Sequence, residues 1–161
     1  MVAGLAVVLL AGCGTDEPTA GPAEGETSSK TSKPTPGETV PPGPIEYTAI
    51  ALVSASNAEG SVSPHAVVLD SQQAIEDFAR QFSGDQMGQA LTRQYARADL
   101  PKDEVMLGAV VDVSCEPPSD VQVEKTKKGI EVTATTKVSK NVQCLVPVTT
   151  VALVSVPEAA V

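Results

Sequence analysis

The chain predicts an α+β domain: an antiparallel sheet of about five strands with one or two helices on one face. Three observations point there. Apolar residues recur at period two in the stretches 105–113, 121–123, 130–134 and 148–156. Helical spacing is confined to one block, between residues 70 and 98. Neither period occurs between residues 15 and 44. The fold is therefore expected as a single domain over residues 45–161, and a chain of 161 residues leaves room for one of ordinary size.

Taken in order, Tyr47, Ala49, Ala51 and Val53 alternate with Thr48, Ile50, Leu52 and Ser54, the pattern of a strand buried on one face and partly on the other. Turn residues fill 57–63, and residues 66–69 read as a short apolar strand or an extended lead-in. Asp70, with Gln73 three residues on, looks like a helix N-cap and its capping-box partner. Ala74, Ile75, Phe78, Ala79 and Phe82 follow at helical spacing, and Gly84 is the expected stop. Asp85 is placed to cap a second helix with the stripe Met87, Leu91, Tyr95 and Ala98, ending before Pro101.

Beyond Pro101 the period becomes two. Leu107, Ala109, Val111 and Val113 are expected on one face of a strand, with Asp112 interrupting the apolar run and most simply facing solvent. After Cys115 and a turn at 117–120, Val121 and Val123 pair with Ile130, Val132 and Ala134 across Lys127-Lys128-Gly129 in a hairpin. The last strand, 148–156, is rich in β-branched residues. With five residues after it and no Lys or Pro inside it, this strand is a candidate sheet edge; the alternative places it between the first strand and the 105–113 strand.

Residues 15–44 hold seven prolines among Gly, Ser, Thr and Glu, with almost no large apolar side chain. Such a tract cannot offset the entropy of folding and reads as a tether spanning about 30 Å on average. Ahead of it, the apolar run 2–11 is shorter than the roughly 20 residues a membrane-spanning helix needs. It leads into Leu10, Ala11, Gly12 and Cys13, small residues before a cysteine. This stretch resembles the lipobox of bacterial lipoproteins, although no Lys or Arg precedes Cys13. The resemblance implies that residues 1–12 are a cleaved signal peptide. It also implies that Cys13 carries more than one acyl chain and that the protein is held at the extracytoplasmic face of a cell membrane. One chain alone binds marginally, so the second matters.

The net charge of −9, without a basic cluster of any size, argues against nucleic acid and against a peripheral grip on anionic headgroups. With Cys13 set aside, Cys115 and Cys144 form an even pair in an oxidising compartment and read as a disulfide. Closing a loop of about 30 residues is worth roughly 3.6 kcal/mol in the chain-entropy account.

The strand ending Met106-Leu107-Gly108, the Val121-x-Val123 and Ile130-x-Val132 hairpin, and Pro147 before a closing strand resemble the C-terminal domain of PrcB-like bacterial lipoproteins. That resemblance covers about a third of the chain, and the family's Gly-Gly after its first strand is here Ser114-Cys115. It implies a role in stabilising a secreted protease.

Reactive constellations are sparse. His65 is the single histidine and reads as structural. No G-x-S-x-G, H-E-x-x-H or phosphate-loop motif occurs. A zinc site needs about four N or S ligands, and with the cysteines committed His65 alone is left, so neither metal nor cofactor is expected. Adjacent acids, Glu76-Asp77 and Asp103-Glu104, read as solvated faces. The absence of Trp weakens the case for a sugar or wide ligand groove. The expectation is a module without catalysis that binds an exported protein partner, a secreted protease being one example. The alternative is a small-ligand-binding or enzymatic lipoprotein with a diffuse site. Candidate contact residues are Thr150 and Ala152 on the last strand, and the basic hairpin tip Lys125, Lys127 and Lys128.

Overall fold

The computed structural model describes residues 40–135 and 145–161. The 1–12 leader, Cys13, most of the 13–44 tract and Cys144 lie outside the described residues. Elements follow in the order β1 (Gly43–Pro44), β2 (Thr48–Ser56), β3 (Ser63–Val68), α1 (Gln72–Ala79), α2 (Asp85–Arg97), β4 (Glu104–Ser114), β5 (Val121–Thr126), β6 (Gly129–Ala134) and β7 (Val148–Pro157), closed by a 3-10 turn at Glu158–Ala160. The α+β class and antiparallel sheet are as expected, but the described strands number seven. The two extra strands are short. β3 realises the 66–69 stretch as a strand but starts earlier, at Ser63, and β1 pairs Gly43 and Pro44 with β5, inside the tract that composition assigns to the tether.

The sheet order is β1-β5-β6-β3-β4-β7-β2, and every neighbouring pair is antiparallel. The sheet curls, so its central strands carry a core on each face. On the helix face, Met106, Val110, Val151 and Leu153 pack against Ile75, Phe78, Met87 and Leu91. On the opposite face, Leu107, Ala109, Ala152 and Val154 meet Val121, Val123, Ile130 and Val132 of the β5–β6 hairpin. Each fully buried Leu, Ile or Met on these faces contributes about 2–3 kcal/mol of apolar transfer.

This arrangement overturns the edge reading of the last strand and matches the alternative, a place between the first long strand and the 105–113 strand. β7 lies between β4 and β2, and residues 149–156 are buried throughout. Its apolar run reflects burial on both faces and both sides. The three hydroxyls in the run are satisfied: Thr149 donates to the Glu59 carbonyl, Ser155 donates to a Glu104 carboxylate oxygen at 2.5 Å, and Thr150 Oγ1 lies 2.9 Å from Ser54 Oγ.

Two bulges shift the expected faces. In β2 the register slips between Ala49 and Ala51, so Ile50, Ala51 and Val53 join the helix-face core while Tyr47 packs in the other. In β4 it slips between Val110 and Asp112, which sends Val113 to the helix face, away from Leu107, Ala109 and Val111. An extra residue in a ladder inverts every side chain beyond it.

The helical block also differs in detail. Ser71, not Asp70, is the N-cap of α1: its backbone is extended and its hydroxyl accepts from the Ala74 amide at 3.2 Å. Gln73 donates instead to Asp77, and Asp70 offers its carbonyl to the Tyr95 hydroxyl at 3.0 Å. α1 stops at Ala79, before Gly84. Phe82 sits in the following turn yet still meets Phe78 edge-on, with centroids 5.8 Å apart. Gly84, at φ 70°, is the N-cap of α2, and Asp85 lies in the first turn, where its charge suits the helix dipole.

Candidate functional site

The sheet order leaves β2 at one end, and among the described residues no strand lies on its outer side. Its sequence, TAIALVSAS, carries no charge and no proline. Val53 and Ala55 are buried on the helix face, whereas Leu52, Ser54 and Ser56 of the other face are exposed. The register with β7 and β4 fixes the rows beneath them. Leu52 lies beside Ala152 and Ala109; Ser54 lies beside Thr150 and Asp112; Ser56 lies beside Val148 and Ser114. Asp112, which the bulge leaves half-buried, accepts a hydrogen bond from the Ser114 hydroxyl.

The near half of this edge is partly walled. Before β2, Ile45 donates to the Val123 carbonyl at 3.2 Å and the Tyr47 hydroxyl donates to the Val121 carbonyl at 2.5 Å. The chain therefore leaves β5 and crosses to β7 at about Thr48. A crevice of about 100 Å³ remains between residues 49–52 and 119–121, floored by 152–154. Beyond Leu52 the strand runs to Asn57, whose φ of 57° ends it.

A second concavity, of about 670 Å³, lies between α1 and α2. Ala79, Phe82 and Gly88 lie among its apolar lining, and Glu76, Arg80, Asp85 and Arg93 border it. At Gly88 the two helices come close: a Cβ there would touch the Ala79 methyl at 3.4 Å. Arg80 is engaged by Asp77 at 3.0 Å on the exposed side of α1.

The residues singled out by sequence are not brought together. Thr150 and Ala152 are fully buried in the middle of the sheet, so they present no surface to a partner. Lys127 and Lys128 are exposed in the two-residue turn between Thr126 and Gly129, but Lys125 is half-buried and donates to the Ala160 carbonyl. The tip is thus two lysines at one end of the molecule. Cys115 is disulfide-bonded, and Cys13 and Cys144 lie outside the described residues. His65 stands opposite Glu131 across β3 and β6, with Nδ1 3.7 Å from a carboxylate oxygen. Among the described residues no three His, Cys, Asp or Glu side chains gather as a metal site requires, and no helix is long and apolar enough to cross a membrane.

The sequence reading missed both the β2 edge and the helical groove. The lack of charge in β2 was a visible signal, but its place at the end of the sheet was not. Comparison with protein-family models, curated proteins and solved structures finds no match.

Proposed function

We propose that the chain is a lipoprotein anchored through Cys13, whose domain binds an extended segment of an exported protein along the outer edge of β2 and performs no chemistry itself. The observation that carries the reading is a nine-residue edge strand without charge or proline. Natural sheets blunt such edges with lysine, proline or a cover, because a free row of amide and carbonyl groups templates another strand. Here the bulge at Ile50 and the 119–121 wall flank the first half, and among the described residues no strand pairs with the second. Strand addition gives affinity through main-chain hydrogen bonds, with alternate side chains supplying selectivity.

A photoreactive residue at Ser56 of the membrane-borne chain tests this. Discrete adducts with exported proteins are expected there. They should be weakened at least tenfold by Leu52→Lys and absent when the probe sits at Gln89 on α2. Adducts indifferent to Leu52→Lys would remove the edge from consideration. A second reading, binding of a small ligand, is favoured by the groove between α1 and α2, whose volume lies within the range of ligand sites. Adducts from Gln89 alone would direct attention there.

A further inference from the structure

We infer that the tip of the β5–β6 hairpin, through Lys127 and Lys128, docks on the anionic headgroups of the membrane that carries the chain, a second and reversible attachment beside the lipid. The inference rests on the reading of Cys13 as the anchor and concerns how the domain stands on that membrane.

The tether enters the fold beside this tip. β1 runs antiparallel to β5, with Pro44 opposite Glu124 and Gly43 opposite Lys125, and the Ile45 amide continues the ladder to the Val123 carbonyl. Followed backwards from Gly43, the chain therefore heads for the turn at Lys127 and Lys128. It leaves the described residues at Val40, which packs against the hairpin core. The other end of the hairpin, where Val121 pairs with Ala134, lies about 20 Å away, six strand residues at some 3.3 Å each. The residues that link the fold to Cys13 thus join it at the end that carries the two lysines.

The tip is built to present charge. Thr126 Oγ1 donates to the Gly129 carbonyl at 3.0 Å and accepts from the Lys128 amide at 3.1 Å, and Gly129, at φ 126°, closes the turn. Lys127 and Lys128 are exposed, and among the described residues neither ammonium has an ion pair. Lys125, by contrast, is half-buried and held to the Ala160 carbonyl. The hairpin's carboxylates, Glu124 and Glu131, stand opposite each other two ladder positions behind the turn. That is about 7 Å, close to one Debye length at physiological salt. An anionic surface met tip-first therefore sees the lysines before the acids. The net −9 of the chain repels such a surface at large, so this approach is the one that charge and tether both favour. Each lysine near the headgroups shifts the docked population about fivefold, which is too little to hold a free protein. The tether supplies the rest by keeping the tip at an effective concentration on the order of millimolar. Net charge argues against a grip by the chain as a whole; the tertiary placement of tip beside tether makes two lysines sufficient.

The test uses the full-length, lipid-bearing chain in vesicles of phosphatidylcholine, with or without phosphatidylglycerol. A water-soluble amine-reactive reagent is applied briefly, and mass spectrometry reads each lysine, with the exposed Lys102 as internal reference. At low salt, Lys127 and Lys128 should label at least fivefold more slowly on the anionic vesicles than on the neutral ones, with Lys102 unchanged. High salt should abolish the difference. A photoactivatable phosphatidylglycerol in the same vesicles should crosslink within residues 125–129. The double change Lys127→Ser, Lys128→Ser should cut those adducts at least tenfold, and an unchanged melting temperature checks that the variant is folded. Equal labelling on the two kinds of vesicle overturns the inference, as do adducts that the double variant leaves intact. So does protection in whole cells that anionic vesicles fail to reproduce, which would assign the tip to an acidic exported protein. A chain that does not stay on the neutral vesicles removes the anchor reading and the inference together, whereas retention there with unprotected lysines on the anionic ones removes the inference alone.

Discussion

Gly108 shows how much of this fold turns on single atoms. It sits in the middle of β4 on the helix face, where a Cβ would lie 2.5 Å from Leu69 Cδ1 and 3.5 Å from Leu153 Cδ2. Leu69 is fully buried, and its amide donates to the Met106 carbonyl at 2.8 Å, so it cannot retreat. Gly108→Ala should therefore destabilise by about 1–3 kcal/mol, the usual cost of overpacking. Urea unfolding checks this. Combined with Leu69→Ala, it should cost less than the sum of the two single changes, because the clash and the cavity occupy the same space. A simple glycine-to-alanine gain in strand propensity would give the opposite sign.

At the scale of elements, β2 and β7 make a direct comparison, because Leu52 and Ala152 are neighbours in the same row. Ala152 is fully buried between two strands, whereas Leu52, on the end strand, is 36% exposed. Ala152→Lys should abolish folding, since the ammonium has neither water nor a partner. Leu52→Lys should change stability by no more than about 1 kcal/mol, as for most exposed substitutions. Circular dichroism melts of the two variants decide between a central and an edge position for each strand. If both fold equally well, the strand order is wrong. The hairpin needs no such test of placement: Val121, Val123, Ile130 and Val132 are all buried in the core opposite the helices, as their alternation requires.

At the scale of the molecule, the prediction concerns the proposed anchor. Cys13→Ala should release the protein from membranes without changing its melting temperature, because among the described residues both cores are complete clusters well downstream of Cys13. Fractionation in high salt followed by thermal unfolding checks both halves of this expectation. Persistence in the membrane fraction would sink the lipid-anchor proposal. Loss of stability on release would mean that the tract ahead of the fold contributes to it.

Local pattern determined a good deal here. The α+β class, the helical block, the β5–β6 hairpin and the long β4 and β7 strands follow from side-chain periodicity, because burial on one face imposes period 2 or 3.6 on the sequence that provides it. Caps were legible to within a residue: Ser71 and Asp70 are both good N-caps, and the choice between them lay in backbone geometry. Tertiary structure alone decided the rest. Continuous apolar runs look alike whether a strand is central or last, so the position of β7 between β4 and β2 came from pairing. The bulges at Ile50 and Val111 leave no compositional mark, yet they inverted the faces beyond them. The candidate site has the same origin. That β2 lacks charge is written in nine residues; that it stands last among the described strands is set by where residues 104–114 and 148–157 pair, about a hundred positions further along the chain.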